Sequence, residues 1–457
     1  MSAPRVHAPP RRRCSSALRP RLVVATLSGE IIDCPEYEMA GAAGATPDRP
    51  AHLIPLPDGS TLFTLPQRHP IGYHPGRKRF ECVTRYRREP VQAVAAFIAP
   101  AHTQLLRAAY AAQPGAPRLP LYCYTAVGWD NGRFCVPAVR VDADCRQDAA
   151  QFDEQRIARA ATRILKRYPR NRLARHLIEN CVRRYRCPAA RNYALGRWEM
   201  PLPTARACNS RCLGCISLQP GDHVCAAQAR IAFTPTPGEI AEIAIPHLMT
   251  AALPIVSFGQ GCEGEPLSVC DVLIEAIRLI RAKTARGTIN LNTNASRPDR
   301  VEALFAAGLD SMRVSLNSAR EHLYTRYFRP LDYAFNDVVA SIRIARRMRR
   351  FVSINYFVLP GFTDQKAEWQ ALAKLLRDPG VDMIQWRNLN IDPEWYLAQM
   401  DTGAAAPRLG MSALMQRVRE RFPRVRFGYY NPPLTRTRAP RRQRHGSGGV
   451  APGCEHT

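Results

Sequence analysis

Lysine is nearly missing from this 457-residue chain: of its 65 basic residues five are lysine and sixty arginine, against 38 acidic residues, for a formal net charge of +27. A charge of that size invites a nucleic-acid partner. Yet short arginine clusters stand at the two ends (Arg11 to Arg13, Arg436 to Arg444) in a chain also rich in Ala and Pro, and no Lys/Arg stripe alternates with aromatics as a strand-binding groove requires. The excess reads as a compositional bias, and nucleic acid is kept only as a rival partner. Long apolar runs are missing as well. No stretch approaches a membrane span, the first residues lack the apolar run of a secretory signal, and Leu22 to Leu27 is short enough to be a strand. Fifteen cysteines are spread over the chain without the density of a disulfide scaffold, so the expectation is a cytoplasmic protein with reduced thiols. The hydrophobic share, 46 %, suits a globular chain of two or three domains.

Read in order, residues 1–20 are Pro- and Arg-rich without periodicity and predict a disordered tail. Residues 21–148 show short apolar runs broken by Gly29-Glu30, Pro57-Asp58-Gly59-Ser60 and Asp130-Asn131-Gly132, which predicts a β-rich domain. Its best hairpin signal is the last of these, between Leu121–Val127 and Phe134–Val139. Residues 149–200 carry apolar positions at helical spacing over Phe152 to Tyr168 and Arg172 to Tyr185, predicting a helical linker. Cys181 and Cys187 fall there; buried helix cysteines account for them more simply than ligands of a second cluster.

From Pro201 to about residue 433 strand-like and helical runs alternate. Strands are expected at 202–207, 255–258, 288–292, 311–316, 352–358 and 383–386, with helices near 238–250, 268–282, 298–307, 332–348 and 366–376. Six strands with five intervening helices make an α/β fold, a partial (β/α)6 TIM-like barrel, whose functional groups belong at the C-terminal strand ends. An amphipathic helix at 411–421 and a closing strand near Arg426 to Pro433 follow, and 434–457 is a second disordered, basic tail.

The stretch that organises the rest is Cys208-Asn209-Ser210-Arg211-Cys212-Leu213-Gly214-Cys215. Cysteines spaced C-x3-C-x2-C in one loop can place three thiolates around one centre, and an iron–sulfur cube held by three keeps one iron open for a small molecule. A zinc knuckle closed by Cys225 or His223 is the alternative on spacing alone. Downstream, Phe258-Gly259-Gln260-Gly261-Cys262-Glu263-Gly264-Glu265-Pro266 is a Gly-rich strand-to-helix turn, where backbone approaches closely and a carboxylate can pair with an ammonium.

This ordered set resembles the radical S-adenosylmethionine (radical SAM) superfamily, whose cysteine spacing, GGEP-like turn and strand-end TNG turn it approximates over residues 201 to about 392. The resemblance implies a [4Fe-4S] cluster on Cys208, Cys212 and Cys215 and SAM beside it, contacted by Gly264 and Glu265, by Asn292 and Asn294, by Ser315 and Asn317 of strand four, and by the adenine-packing Gly361. Gln385, Arg387, Asn388 and Asn390 at the barrel mouth become candidate substrate contacts, and Glu263 is a further candidate substrate group. The implied activity is reductive cleavage of SAM to a 5′-deoxyadenosyl radical that takes hydrogen from a substrate the sequence does not name. The implied partners are SAM, that substrate, and a reductase, flavodoxin or ferredoxin as electron donor. Two departures stand: Glu263 replaces the first Gly of the GGEP-like turn, and Gly214 replaces the aromatic before the third cysteine. The scarcity of cysteine after Cys270, with Cys454 alone beyond it, argues against the peptide-maturing subclass with auxiliary clusters. Two rivals remain, an RNA- or protein-modifying member that grips its target with the N-terminal domain, and a non-catalytic zinc or nucleic-acid module using Cys225.

Overall fold

The computed structural model describes residues 19–219, 224–401 and 406–434. Almost all of the two expected tails, and with them Cys454, lie outside the described residues, as does His223.

The alternating half of the chain forms a parallel sheet of seven strands in sequence order: β1 (Glu199–Leu202), β2 (Ile255–Phe258), β3 (Thr288–Thr293), β4 (Ser311–Leu316), β5 (Phe351–Val358), β6 (Met383–Asn388) and β7 (Arg426–Gly428). The expected first strand, 202–207, lies earlier. After Leu202 the backbone turns to another partner: Ala205 and Ala207 carbonyls accept the N–H groups of Gly264 and Glu265 at 2.7 and 2.8 Å. β1 pairs only with β2, and such an edge tolerates Pro201, which has no N–H to give. The closing strand is shorter than expected and pairs parallel to β6 through Met383 and Arg426.

Strand composition explains the two faces. Val256, Phe258, Ile289, Leu291, Met312, Val314, Leu316, Ile354, Tyr356, Ile384 and Trp386 are fully buried in one continuous core. The residues between them, Ser257, Asn290, Asn292, Arg313, Ser315, Asn355, Gln385 and Arg387, alternate onto the opposite face. A parallel strand buried on both sides would be apolar throughout; these strands enclose a polar lumen instead.

Before the sheet come α1 (Glu154–Arg167), α2 (Arg172–His176), a π-helix (Leu177–Arg184) and α3 (Pro188–Ala194). Between the strands run α4 (Pro237–Thr250), α5 (Cys270–Lys283), α6 (Pro298–Ala307), α7 (Glu321–Phe328), α8 (Phe335–Arg347) and α9 (Lys366–Arg377). Of these α7 has no counterpart in the sequence expectation. Asn171, the side-chain N-cap of α2, also donates to the Glu239 carbonyl and the Glu242 carboxylate at 2.8 Å, tying the helical segment to α4.

The N-terminal region is β-rich and antiparallel: Arg21–Thr26 pairs with Ile31–Met39, Glu89–Phe97 and Gly128–Asp130. The expected hairpin is present but starts later. Gly128–Asp130 pairs with Arg133–Val136 around Asn131-Gly132, whose φ values of 47° and 82° suit the two-residue turn. This region docks on the strand ends of β5 and β6. Thr103 Oγ1 donates to the Trp386 carbonyl at 2.8 Å, Gln104 N–H to Asn388 Oδ1 at 2.9 Å, and Asn388 Nδ2 to the His102 carbonyl at 3.1 Å.

Candidate functional site

β1 delivers the chain into the cysteine loop, and α7 holds the loop in place. The last carbonyls of a helix have no partner within it; here those of Tyr327 and Phe328 accept the N–H groups of Leu213 and Arg211, each at 3.0 Å. A Cβ on Gly214 would stand 2.8 Å from the Tyr327 hydroxyl, so the ring of Tyr327 comes up against the loop where the sequence itself offers only glycine. Cys208, Cys212 and Cys215 are free thiols, each partly exposed. Burial pushes Cys208 up to about 11. Burial also pushes Cys212 well above the ordinary thiol value, and the charges of Cys208 and Cys215 add to it. Three thiols that feel one another's charge become thiolates together only around a cation. Arg230 supplies one positive group, its Nη2 3.6 Å from Cys215 Sγ and its Nε 3.1 Å from Ser217 Oγ.

The turn after β2 packs directly under that loop. Gly264 is the pivot: a Cβ there would lie 1.9 Å from the Ala207 carbonyl oxygen, one residue before Cys208. Glu263 is a brace and not a substrate group. One carboxylate oxygen accepts Thr204 N–H, Thr204 Oγ1 and Ala205 N–H at 2.7, 3.1 and 2.9 Å, the other Gly259 and Gln260 N–H at 2.7 and 2.6 Å. That explains the departure from the GGEP-like turn, since the replaced glycine has become the group that binds the turn to the start of the cysteine loop.

Glu265 lies buried at the end of β3. It accepts Leu267 N–H at 3.1 Å, Thr293 Oγ1 at 2.5 Å and Asn294 N–H at 2.8 Å, and burial raises it to about 7 against these donors. Asn294 continues the chain of contacts, donating from Nδ2 to Asn209 Oδ1 at 2.8 Å and Ser210 Oγ at 3.1 Å. Gly264, Glu265, Asn294 and the cysteine loop therefore form one hydrogen-bonded frame.

The lumen opens beside this frame as a cavity of about 390 Å³, lined among others by Gly214, Gly259, Asn292, Arg313, Asn355 and Arg387. Asn292 donates to the Gly259 carbonyl at 3.1 Å and accepts from Asn290 and Asn431 at 2.9 and 3.2 Å. Arg313 is half-buried, and desolvation first, then the Arg387 charge, lowers it to about 9 against the opposing charge of Glu199. Its Nε, the Nε of Arg387 and Oδ1 of Asn355 are buried without a hydrogen-bond partner. Two cations and an orphaned acceptor thus line one cavity.

The other predicted residues fare differently. Ser315 sits half-buried, registered against Asn355 of β5. Asn317 gives its amide to the Leu323 carbonyl and Tyr396 hydroxyl at 3.2 and 3.1 Å and does not line the cavity. At Gly361 a Cβ would lie 1.8 Å from Gly44 N, so the face a side chain would take is filled by N-terminal backbone. Asn388 is likewise occupied, holding His102 and Gln104. Gln385 donates to Asn431 Oδ1 at 3.1 Å, and Asn390 lines the cavity. Sequence reasoning missed Arg313 and Tyr327. The polar–apolar alternation of β3 to β6 was the available signal for the first; for Tyr327 there was none, since α7 was not expected.

Residues 202–375 match the family model described as the Radical SAM superfamily. No curated protein sequence matches the chain. Among solved structures, a radical SAM methyltransferase from Sphaerobacter thermophilus is similar at 17 % identity and TM-score 0.36, covering 50 % of this chain and 66 % of its own. Streptococcus suis SuiB is similar at 13 % and 0.34, covering 52 % of each chain. Coproporphyrinogen III oxidase (HemN) from Escherichia coli is similar at 15 % and 0.34, covering 50 % of this chain and 52 % of its own. This chain thus spans between half and two thirds of their lengths. The likeness to the Radical SAM superfamily thus lies in residues 202–375, the stretch that carries the cysteine loop, the turn after β2 and strands β3 to β5.

Proposed function

We propose that Cys208, Cys212 and Cys215 hold a [4Fe-4S] cluster with one open iron, that SAM binds between it and Glu265, and that the enzyme takes hydrogen from an anionic substrate in the lumen cavity. The observation that carries this is the frame joining the three thiols to Gly264, Glu265 and Asn294 at the C-terminal ends of β1, β2 and β3. The donor set suits the cluster: three mutually repelling thiols next to an arginine, in a protein region where burial disfavours bare thiolates. Among the described residues, the three with Cys225 form no group whose ligand atoms all lie within 4.8 Å, the closeness that one zinc ion demands.

When bound, the cluster supplies the electron that reductively cleaves SAM to a 5′-deoxyadenosyl radical. The chain's residues do the rest. Glu265 pairs with the SAM ammonium, Asn292 and Asn294 offer amides to its polar groups, and Tyr327 closes the lumen near the cysteine loop. Arg313 and Arg387 meet the negative group of the substrate, since two guanidinium groups that repel one another share the cavity with a single lining carboxylate, Glu199, and an anion would balance the second charge.

The test is anaerobic reconstitution followed by incubation with SAM and dithionite, standing in for a flavodoxin- or ferredoxin-type donor, and mass spectrometry of 5′-deoxyadenosine. Wild type should carry four irons with sulfide and release 5′-deoxyadenosine; Cys212→Ala should do neither. Zinc in place of iron would overturn the reading.

A further inference from the structure

His176, Cys181 and Cys262 come together away from the cysteine loop. Their ligand atoms all lie within 4.8 Å of one another, and the two sulfurs, 81 residues apart in sequence, are 3.8 Å apart. Both thiols are almost completely buried, and His176 Nε2 is buried without a hydrogen-bond partner. The π-helix creates this grouping. His176 stands at its N-cap and Cys181 five positions on, and i→i+5 hydrogen bonding sets such positions one turn apart, where an α-helix would rotate them away from each other. π-Helical turns recur at functional sites for this reason.

We propose that this trio is a second metal site, taking one zinc ion that clamps the helical segment to the Gly-rich turn after β2. Thiolates on one tetrahedral zinc, each at about 2.3 Å, stand about 3.8 Å apart, which is the separation found here. A disulfide needs about 2.05 Å between sulfurs, and thiolates of a cube bind different irons and so stand farther apart. Two soft thiolates and an imidazole in an enclosed pocket select zinc among common divalent ions. Cys262 lies one residue before Glu263 and its carbonyl accepts Ile231 N–H at 2.8 Å, so the ion would tie the turn that carries Glu265 to the π-helix. Cys187 follows Cys181 closely, its N–H on the Cys181 carbonyl at 2.8 Å, and borders the lumen cavity.

The experiment uses the full chain with Cys208, Cys212 and Cys215 all changed to Ala, so that a result here is separate from the fate of the loop cluster. After anaerobic purification, metal is measured by mass spectrometry, and cobalt(II) is titrated into the zinc-stripped protein. About one zinc per chain and a thiolate-to-cobalt charge-transfer band are expected. Cys181→Ser, Cys262→Ser and His176→Ala in that background should each lower metal affinity at least tenfold, while Cys123→Ser, another buried cysteine, keeps it. Where a variant fails to fold by circular dichroism, the cobalt spectrum of the folded parent decides. A parent that binds no zinc and gives no cobalt band overturns the proposal, as does full metal retention in folded Cys181→Ser.

Discussion

The carboxylate of Glu265 accepts the backbone N–H of Asn294 at 2.8 Å, and Asn294 in turn reaches Asn209 and Ser210 in the cysteine loop. One buried acid therefore fixes the end of β3 and, through it, the loop. Its burial gives it a pH signature. The raised value of about 7 means that the folded chain favours protonated Glu265, so this group's effect on apoprotein stability is lost progressively as pH rises from about 4.5 to 7. An ammonium ligand needs the ionised form. SAM binding to reconstituted protein should tighten up to tenfold per unit as pH rises towards 7 and level off above it. Glu265→Gln should bind weakly at every pH, and an unchanged affinity in that variant, measured by calorimetry, would remove Glu265 from the site.

Gly264→Ala puts a Cβ 1.9 Å from the Ala207 carbonyl, a backbone atom that cannot give way without moving Cys208. Overpacking of this kind costs about 1–3 kcal/mol or more. Iron retained after reconstitution should fall with it. Gly238→Ala in the first turn of α4, where a Cβ meets only Thr236 Oγ1 at 3.9 Å, should leave both iron content and melting temperature within error.

Arg313 is held in the lumen at a cost to the fold. Its lowered value follows from burial and the Arg387 charge, and a cation whose folded value lies below its unfolded one destabilises the fold at every pH below both. Arg313→Met should therefore stabilise the substrate-free protein at pH 7, by about 1–4 kcal/mol if the site repacks, and abolish any thermal stabilisation by small carboxylates or phosphate. A lower denaturant midpoint in Arg313→Met would show that the guanidinium is structural.

A buried ion pair adds to the contact between the N-terminal region and the barrel. Arg68 Nη2 and Asp392 Oδ2 are 3.2 Å apart, and the same oxygen accepts Leu119 N–H at 2.9 Å. Asp392→Ala leaves Arg68 with only Glu394, at 3.9 Å, as a carboxylate partner and removes the cap of the helix Pro393–Met400, so a loss of about 1–3 kcal/mol is expected from denaturant unfolding.

How much of this was legible in the residues can be argued element by element. The βα alternation, the strands at 255–258 and 311–316, the helix at 298–307 and the cysteine loop followed from periodicity and spacing, because each is a local pattern of apolar positions and breakers. Glu265 and Asn294 stand out only through the resemblance of their turns to those of a known family, and the structure brings them together with the loop. What no local pattern carries is which surface a residue meets. Gly361 has the glycine that close approach requires, but the approaching backbone belongs to Gly44, more than three hundred residues earlier. Asn388 has the polarity of a ligand contact, yet its amide is spent on His102 and Gln104. The meeting of His176 and Cys181 with Cys262 depends on a π-turn and on the packing of the helical segment against the barrel. The sequence by itself determined the periodicities, the thiol spacing and the turn chemistry, since these act within a few residues. The tertiary structure alone decided partners across the lumen, between regions and at the buried trio, because long-range contacts are set by packing of the whole chain.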